Sequence, residues 1–231
     1  MRRKSVLLLT IVLITAGCVR PRLSAPVTMD CQVLGMAQVT NLTPRVEITS
    51  GQYSLLPPQG KHWCVRTAEP GAIVFSTHPL LGETLYARPS DAEILHSFSI
   101  GAFQVQVPEG ANVETADDIF AFVKREYLAP EPRFRAVEAT FAPDSSLGAN
   151  CIRFRAIMEE RNNPRAPGAV LIGVIGDSFA CRHPNSRVPT VVVISPSERY
   201  IQGTVARPLL METLRSEWEP SVRSLQFMPR P

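Results

Sequence analysis

Gly176-Asp177-Ser178 sets a hydroxyl beside a carboxylate, directly after the apolar run over residues 169–174. A serine becomes a nucleophile when a base takes its proton and a third group holds that base. The histidine that follows is His183, five residues on, and no Asp stands three residues before it. A second chemistry is metal binding. His62 lies two residues from Cys64, and His183 two residues from Cys181. On a strand each pair would share one side, but a metal would require reduced thiols. Glu159-Glu160-Arg161 and Ser197-Glu198-Arg199 are charge clusters near strand ends. Adjacent glutamates on a strand point to opposite faces, which suits a solvated edge better than an acid–base pair. Arg153 and Arg155 alternate with Ile152, Phe154 and Ala156 and mark an exposed strand face, with an anion site as the alternative. Trp63 and Trp218 read as core, against exposed aromatics that grip a partner.

Ile175-Gly176-Asp177-Ser178 resembles the nucleophile block of GDSL-type lipases and esterases. In that family the block lies at the first strand, and a late Asp-x-x-His motif supplies the base. Here it falls late and the motif is missing. Asp177-Ser178 is therefore expected to be a turn after a strand, with no catalytic residue, no metal and no cofactor.

The elements that would position these residues are mostly strands. β-favouring runs cover residues 46–55, 63–67 and 72–77, broken by Pro57-Pro58, Gly60 and Pro70-Gly71. Residues 100–107 alternate Phe103, Val105 and Val107 with Ala102, Gln104 and Gln106, as a half-buried strand does. Residues 134–141, 152–158, 169–175 and 190–194 follow, and the last two are nearly continuous apolar runs that suit central strands. Thr115 caps a helix expected over residues 116–128, with Asp117 and Asp118 in its first turn. Ile119, Phe120, Val123 and Tyr127 recur at helical spacing. A second helix starts near Pro208 with Met211, Leu214 and Trp218 as its stripe. Pro220 should kink or stop it, and residues 224–227 then return to the sheet.

Before this domain lies a different kind of segment. Arg2, Arg3 and Lys4 precede an apolar run of about ten residues, half of what spans a bilayer. Small residues Thr15, Ala16 and Gly17 lead to Cys18, which is the order of a secretory signal. Residues 15–18 resemble the lipobox of bacterial lipoproteins, although Thr15 stands where that family has Leu. The resemblance implies cleavage of residues 1–17 and acylation, palmitate included, of Cys18. Val19 in place of Asp favours the outer membrane, by resemblance to enterobacterial sorting. The chain has 24 Lys+Arg and 21 Asp+Glu. Three of the cations lie in residues 2–4, so the mature chain balances at 21 against 21. That leaves no basic face for nucleic acid. Residues 18–45, with Pro21, Pro26 and Pro44, read as a flexible linker, and residues 46–231 as one globular domain.

Four cysteines remain, which in an exported chain reads as two disulfides. Pairing the strand run from Cys151 with the run at residues 169–175 across a loop at 162–168 sets Cys151 opposite residue 179. That is two residues from Cys181, within reach after a small shift. Cys31 with Cys64 then follows by elimination.

The order of hairpin, strand 103–107 with Pro108-Glu109-Gly110, helix, meander and C-terminal helix resembles the PsbP-like fold. The expected class is α+β, an antiparallel meander packed by two main helices. Pro57-Pro58-Gln59-Gly60-Lys61-His62-Trp63, Cys181-Arg182-His183-Pro184, Ser197-Glu198-Arg199 and Ser224-Leu225-Gln226-Phe227 also resemble a group of bacterial lipoproteins without an assigned activity. The expectation is an envelope lipoprotein facing the periplasm, held to the membrane by its N-terminal lipid. Its domain would bind an envelope protein, cell-wall material or a small amphiphilic ligand without catalysis. The alternatives are a GDSL-like hydrolase using Ser178 and a purely structural envelope protein.

Overall fold

A computed structural model describes Cys31 and residues 36–40, 43–50, 52–60, 63–68, 71–77, 96–164, 166–204 and 209–229. The signal and Cys18, His62, His78 and Pro208 lie outside the described residues. Eight strands form one antiparallel sheet in the order β1-β4-β5-β6-β10-β9-β8-β7. They are β1 (Ala37–Gln38), β4 (Cys64–Ala68), β5 (Ala72–Ser76), β6 (Ser97–Gln106), β7 (Phe134–Asp144), β8 (Cys151–Glu160), β9 (Leu171–Arg182) and β10 (Thr190–Ile201). A second, three-stranded sheet joins β2 (Val46–Ile48), β3 (Tyr53–Leu55) and β11 (Gln226–Phe227) in the order β11-β3-β2. The run over residues 46–55 is thus a hairpin, because Gln52 takes a left-handed turn at φ 51°.

Helix α1 (Ala116–Val123) begins at a capping box. Thr115 Oγ1 accepts from the Asp118 amide, and the Asp118 carboxylate accepts from the Thr115 amide. The helix then widens into a π turn over Lys124–Leu128. Ile119, Phe122 and Val123 press onto one face of the sheet, against Ile152, Phe154, Val191 and Val193. Phe120, half-buried, stacks on Phe141 at 4.1 Å.

The opposite face carries the larger core: Trp63, Phe75, Phe98, Ile100, Phe179 and Ile194 under α2 (Leu210–Thr213) and α3 (Arg215–Val222). Trp63 and Trp218 both lie edge-on to Phe98 and are fully buried. Pro220 does not stop α3. The Trp218 indole donates to Met211 O at 2.7 Å and Ser221 Oγ to Leu56 O at 2.6 Å, so packing holds the last turn. Helices thus cover both faces of an antiparallel sheet, which is an α+β fold.

Packed chain extends upstream of residue 46. Ala37 and Gln38 pair with β4, Val39 is buried, and Cys31 is bridged to Cys64. Cys151 and Cys181 form the second disulfide and face each other directly across β8 and β9. Two effects, each of one residue, move that register from the sequence estimate. Glu160 pairs Leu171 at the hairpin, and β9 carries one extra residue between Ile175 and Ser178.

Candidate functional site

That extra residue decides the fate of the hydrolase motif. Leu171–Arg182 is one continuous strand, so Gly176-Asp177-Ser178 is a bulge inside it and not the turn that ends it. The bulge turns Asp177 toward Arg155, whose guanidinium grips both carboxylate oxygens at 2.6 and 2.7 Å. Arg215 of α3 adds its charge at 3.6 Å. The hydrogen bonds from Arg155 hold the Asp177 carboxyl below the usual range, against a smaller opposing effect of burial. Ser178 is fully buried and donates to Gly176 O at 2.9 Å. Neither residue lines the two cavities at the end of the sheet.

His183 is spoken for as well. Its Nδ1 accepts from the Asn185 amide at 3.1 Å. The proton therefore sits on Nε2, which donates to Gln52 O at 3.1 Å. Phe227 meets the ring edge-on at 4.8 Å. The metal reading fails on oxidation state, since Cys64 and Cys181 are both in disulfides. Among the described residues no group of His, Cys, Asp and Glu is arranged to hold a metal ion.

The charge clusters correct the expectation of a solvated edge. Glu198 is 0% and Glu160 3% exposed. β10 continues to Ile201, so Glu198 lies in a central strand beneath α2. Its carboxylate accepts from the amides of Leu210 and Met211 at 3.0 and 2.7 Å, and meets His96 Nε2 at 2.6 Å. It satisfies donors that the first turn of a helix leaves unpaired. Glu160 accepts from Asn163 at 2.9 Å and pairs with Arg199 and Arg133. Both are structural acids that sequence periodicity could not place. Arg153 is exposed on the same face as Arg155.

What remains open lies at the end of the sheet where β9 turns into β10. Two shallow cavities, about 320 and 380 Å³, flank the loop over residues 184–189. Asn150, Arg182, His183 and Pro184 line the first; Gln52, Gln104, Gln106 and Asn185 line the second; Ser186 and Arg187 border both. The first is lined mainly by polar groups, the second by polar and apolar surface in about equal share.

The loop is tied from several directions. Asn185 Nδ2 donates to Met228 O at 3.0 Å, and Val107 N to Pro189 O at 2.9 Å. Thr190 Oγ1 donates to Val188 O at 2.8 Å and lies 3.2 Å from Ser186 Oγ. Behind it, Arg182 N donates to Asn150 O at 2.9 Å, one residue from each cysteine of the Cys151–Cys181 bridge. Glu114, just before α1, accepts from the Arg182 guanidinium, and its carbonyl accepts from Asn150 Nδ2 at 2.6 Å. In the sequence, Cys181-Arg182-His183-Pro184 stands out as a motif whose Cys and His could serve a metal, and proline at 184 and 189 is the available signal for a presented loop.

No family model and no curated protein matches the chain. Among solved structures it is similar to the cyanobacterial PsbP (CyanoP) of Synechocystis sp. PCC 6803. That match has 13% identity over 82% of this chain and 96% of the other, with a TM-score of 0.38. It is also similar to LpqN of Mycobacterium tuberculosis, a protein involved in cell envelope biogenesis. Here identity is 14% over 84% of this chain and 91% of the other, with a TM-score of 0.43. At these scores the α+β assignment rests on the sheet order and the two helix layers themselves. Among the described residues no helix is long and apolar enough to cross a membrane.

Proposed function

We propose that this chain is a lipid-anchored envelope protein whose α+β domain binds cell-wall material without catalysis, through the loop at residues 184–189. The observation that carries the reading is the contrast within that loop. Bonds to Val107 after β6 and to Met228 of the C-terminal segment fix it, and His183 beside it is bonded to Gln52, yet it presents an exposed Arg187 and a Val188 that is 50% exposed. Binding residues are typically carried this way, on a loop positioned by a rigid scaffold. The serine, histidines and buried acids described above are taken up by internal bonds, which supports binding over hydrolysis. The lipobox resemblance and the two disulfides support an oxidising, membrane-proximal setting.

The test is co-sedimentation of the full-length protein, in mild detergent, with purified cell-wall sacculi. The wild type should pellet with the sacculi, and Val188→Asp should stay in solution while keeping its melting temperature. A wild type that remains in the supernatant, combined with protein adducts from a photo-crosslinker at residue 188 in intact cells, would replace the wall by a protein partner.

A further inference from the structure

We infer that Arg187 is the anchor of a carboxylate-binding subsite, and that the ligand it takes is an acidic sugar. The inference rests on the loop being the binding surface, and it goes further by naming the chemistry.

Arg187 borders both cavities and makes no hydrogen bond or ion pair among the described residues. Its neighbour on the first cavity wall differs: Arg182 is held by Glu114. An uncompensated guanidinium on a loop that is otherwise bonded down is a donor fork waiting for a planar anion, which carboxylates match in bidentate fashion. The mature chain balances its charges, so no long-range positive field draws in anions. Selectivity for an anion has to arise locally, at this side chain. The Arg182 guanidinium stands on the wall of the first cavity with donors left over after Glu114, since a guanidinium carries five N–H groups.

The rest of the lining sets the remainder of the ligand. Gln52, Gln104, Gln106, Asn185, Ser50 and Thr190 bring amides and hydroxyls to the second cavity. Such groups suit a partner rich in hydroxyls. The cavity volumes sit at the low end of the range for small-ligand sites, roughly 300–1,000 Å³, which suits a short oligosaccharide laid across the two.

The experiment titrates the full-length protein in detergent with three probes: trigalacturonate, the same trisaccharide with its carboxyls reduced to alcohols, and inorganic phosphate. Trigalacturonate should bind, and added salt should weaken it. The reduced sugar and phosphate should each bind at least about ten-fold more weakly, the scale of losing one charge-assisted hydrogen bond. Arg187→Gln should lose trigalacturonate by a similar factor at an unchanged melting temperature. Arg161→Gln, at the other end of the sheet, should bind as the wild type does. Equal binding of acid and reduced sugar, or an unaffected Arg187→Gln, would overturn the carboxylate subsite. Phosphate binding as well as trigalacturonate would overturn the sugar. Either result leaves sacculus binding free to stand, so failure here is distinct from failure of the cell-wall reading.

Discussion

The Arg155 guanidinium and the Asp177 carboxylate close a two-pronged ion pair across β8 and β9, at the point where β9 holds one residue too many. The bulge thus has a partner for its displaced side chain. What looks in one dimension like a nucleophile motif is the accommodation of an extra residue in a central strand.

This pair has a pH signature. Asp177 is held below its ordinary value, so its stabilisation is present above the unfolded-state pKa of about 3.9 and fades as pH falls through its folded value. Thermal melts of wild type and Asp177→Asn should show a constant gap above about pH 5 that closes below about pH 4. A gap that widens on acidification would contradict the ion pair.

Ser178→Ala removes a hydroxyl whose one bond is to Gly176 O. The expected stability change is within about 1.5 kcal/mol, the usual net worth of a hydrogen bond. Hydrolysis of p-nitrophenyl butyrate by wild type and variant should be the same, at the buffer rate. A serine-dependent rate would restore the hydrolase reading.

Glu198→Ala should be far more damaging. It strands the amides of Leu210 and Met211, which have the carboxylate as acceptor. Leaving a buried donor without its acceptor costs about 1–3 kcal/mol for each group, readable by urea denaturation. Hydrogen exchange at the amides of Leu210 and Met211 should accelerate first, because α2 is only four residues long.

Cys151→Ser with Cys181→Ser opens a loop with a sequence separation of 30. The chain-entropy estimate for that loop is about 3.5 kcal/mol. Because Asn150 and Arg182 flank the bridge, the same variant should weaken sacculus binding even at temperatures where it stays folded.

Gly60 stands at φ +110°, and a Cβ there would lie 2.4 Å from Glu217 Oε2, the acceptor of the Trp63 indole. Gly60→Ala should therefore lower stability by about 1–3 kcal/mol through backbone strain, and further through loss of that acceptor, seen as a lower melting temperature and a shift of Trp63 fluorescence.

Much of this molecule is written in local pattern. The alternation from Phe103 to Val107, the Thr115 cap, the apolar runs of β9 and β10, and the stripe of Met211, Leu214 and Trp218 all follow from period and propensity, which act over a few residues. The charge balance and the α+β class follow from the same local information. The failures share one cause. Glu160 and Glu198 read as edge residues because the apolar runs end before the strands do. Where a strand ends is set by its neighbours: β10 lies between β6 and β9, and pairing carries it through Pro196, Glu198 and Tyr200 regardless of polarity. The bulge at Gly176–Asp177 exists only relative to the two strands beside it. The loop that presents Arg187 is rigid because Gln52, Val107 and Met228 meet there from distant parts of the chain. Local sequence thus determined which segments become strands and helices. Long-range pairing alone decided which charges are buried, and it brought Arg187 to the rim shared by two cavities.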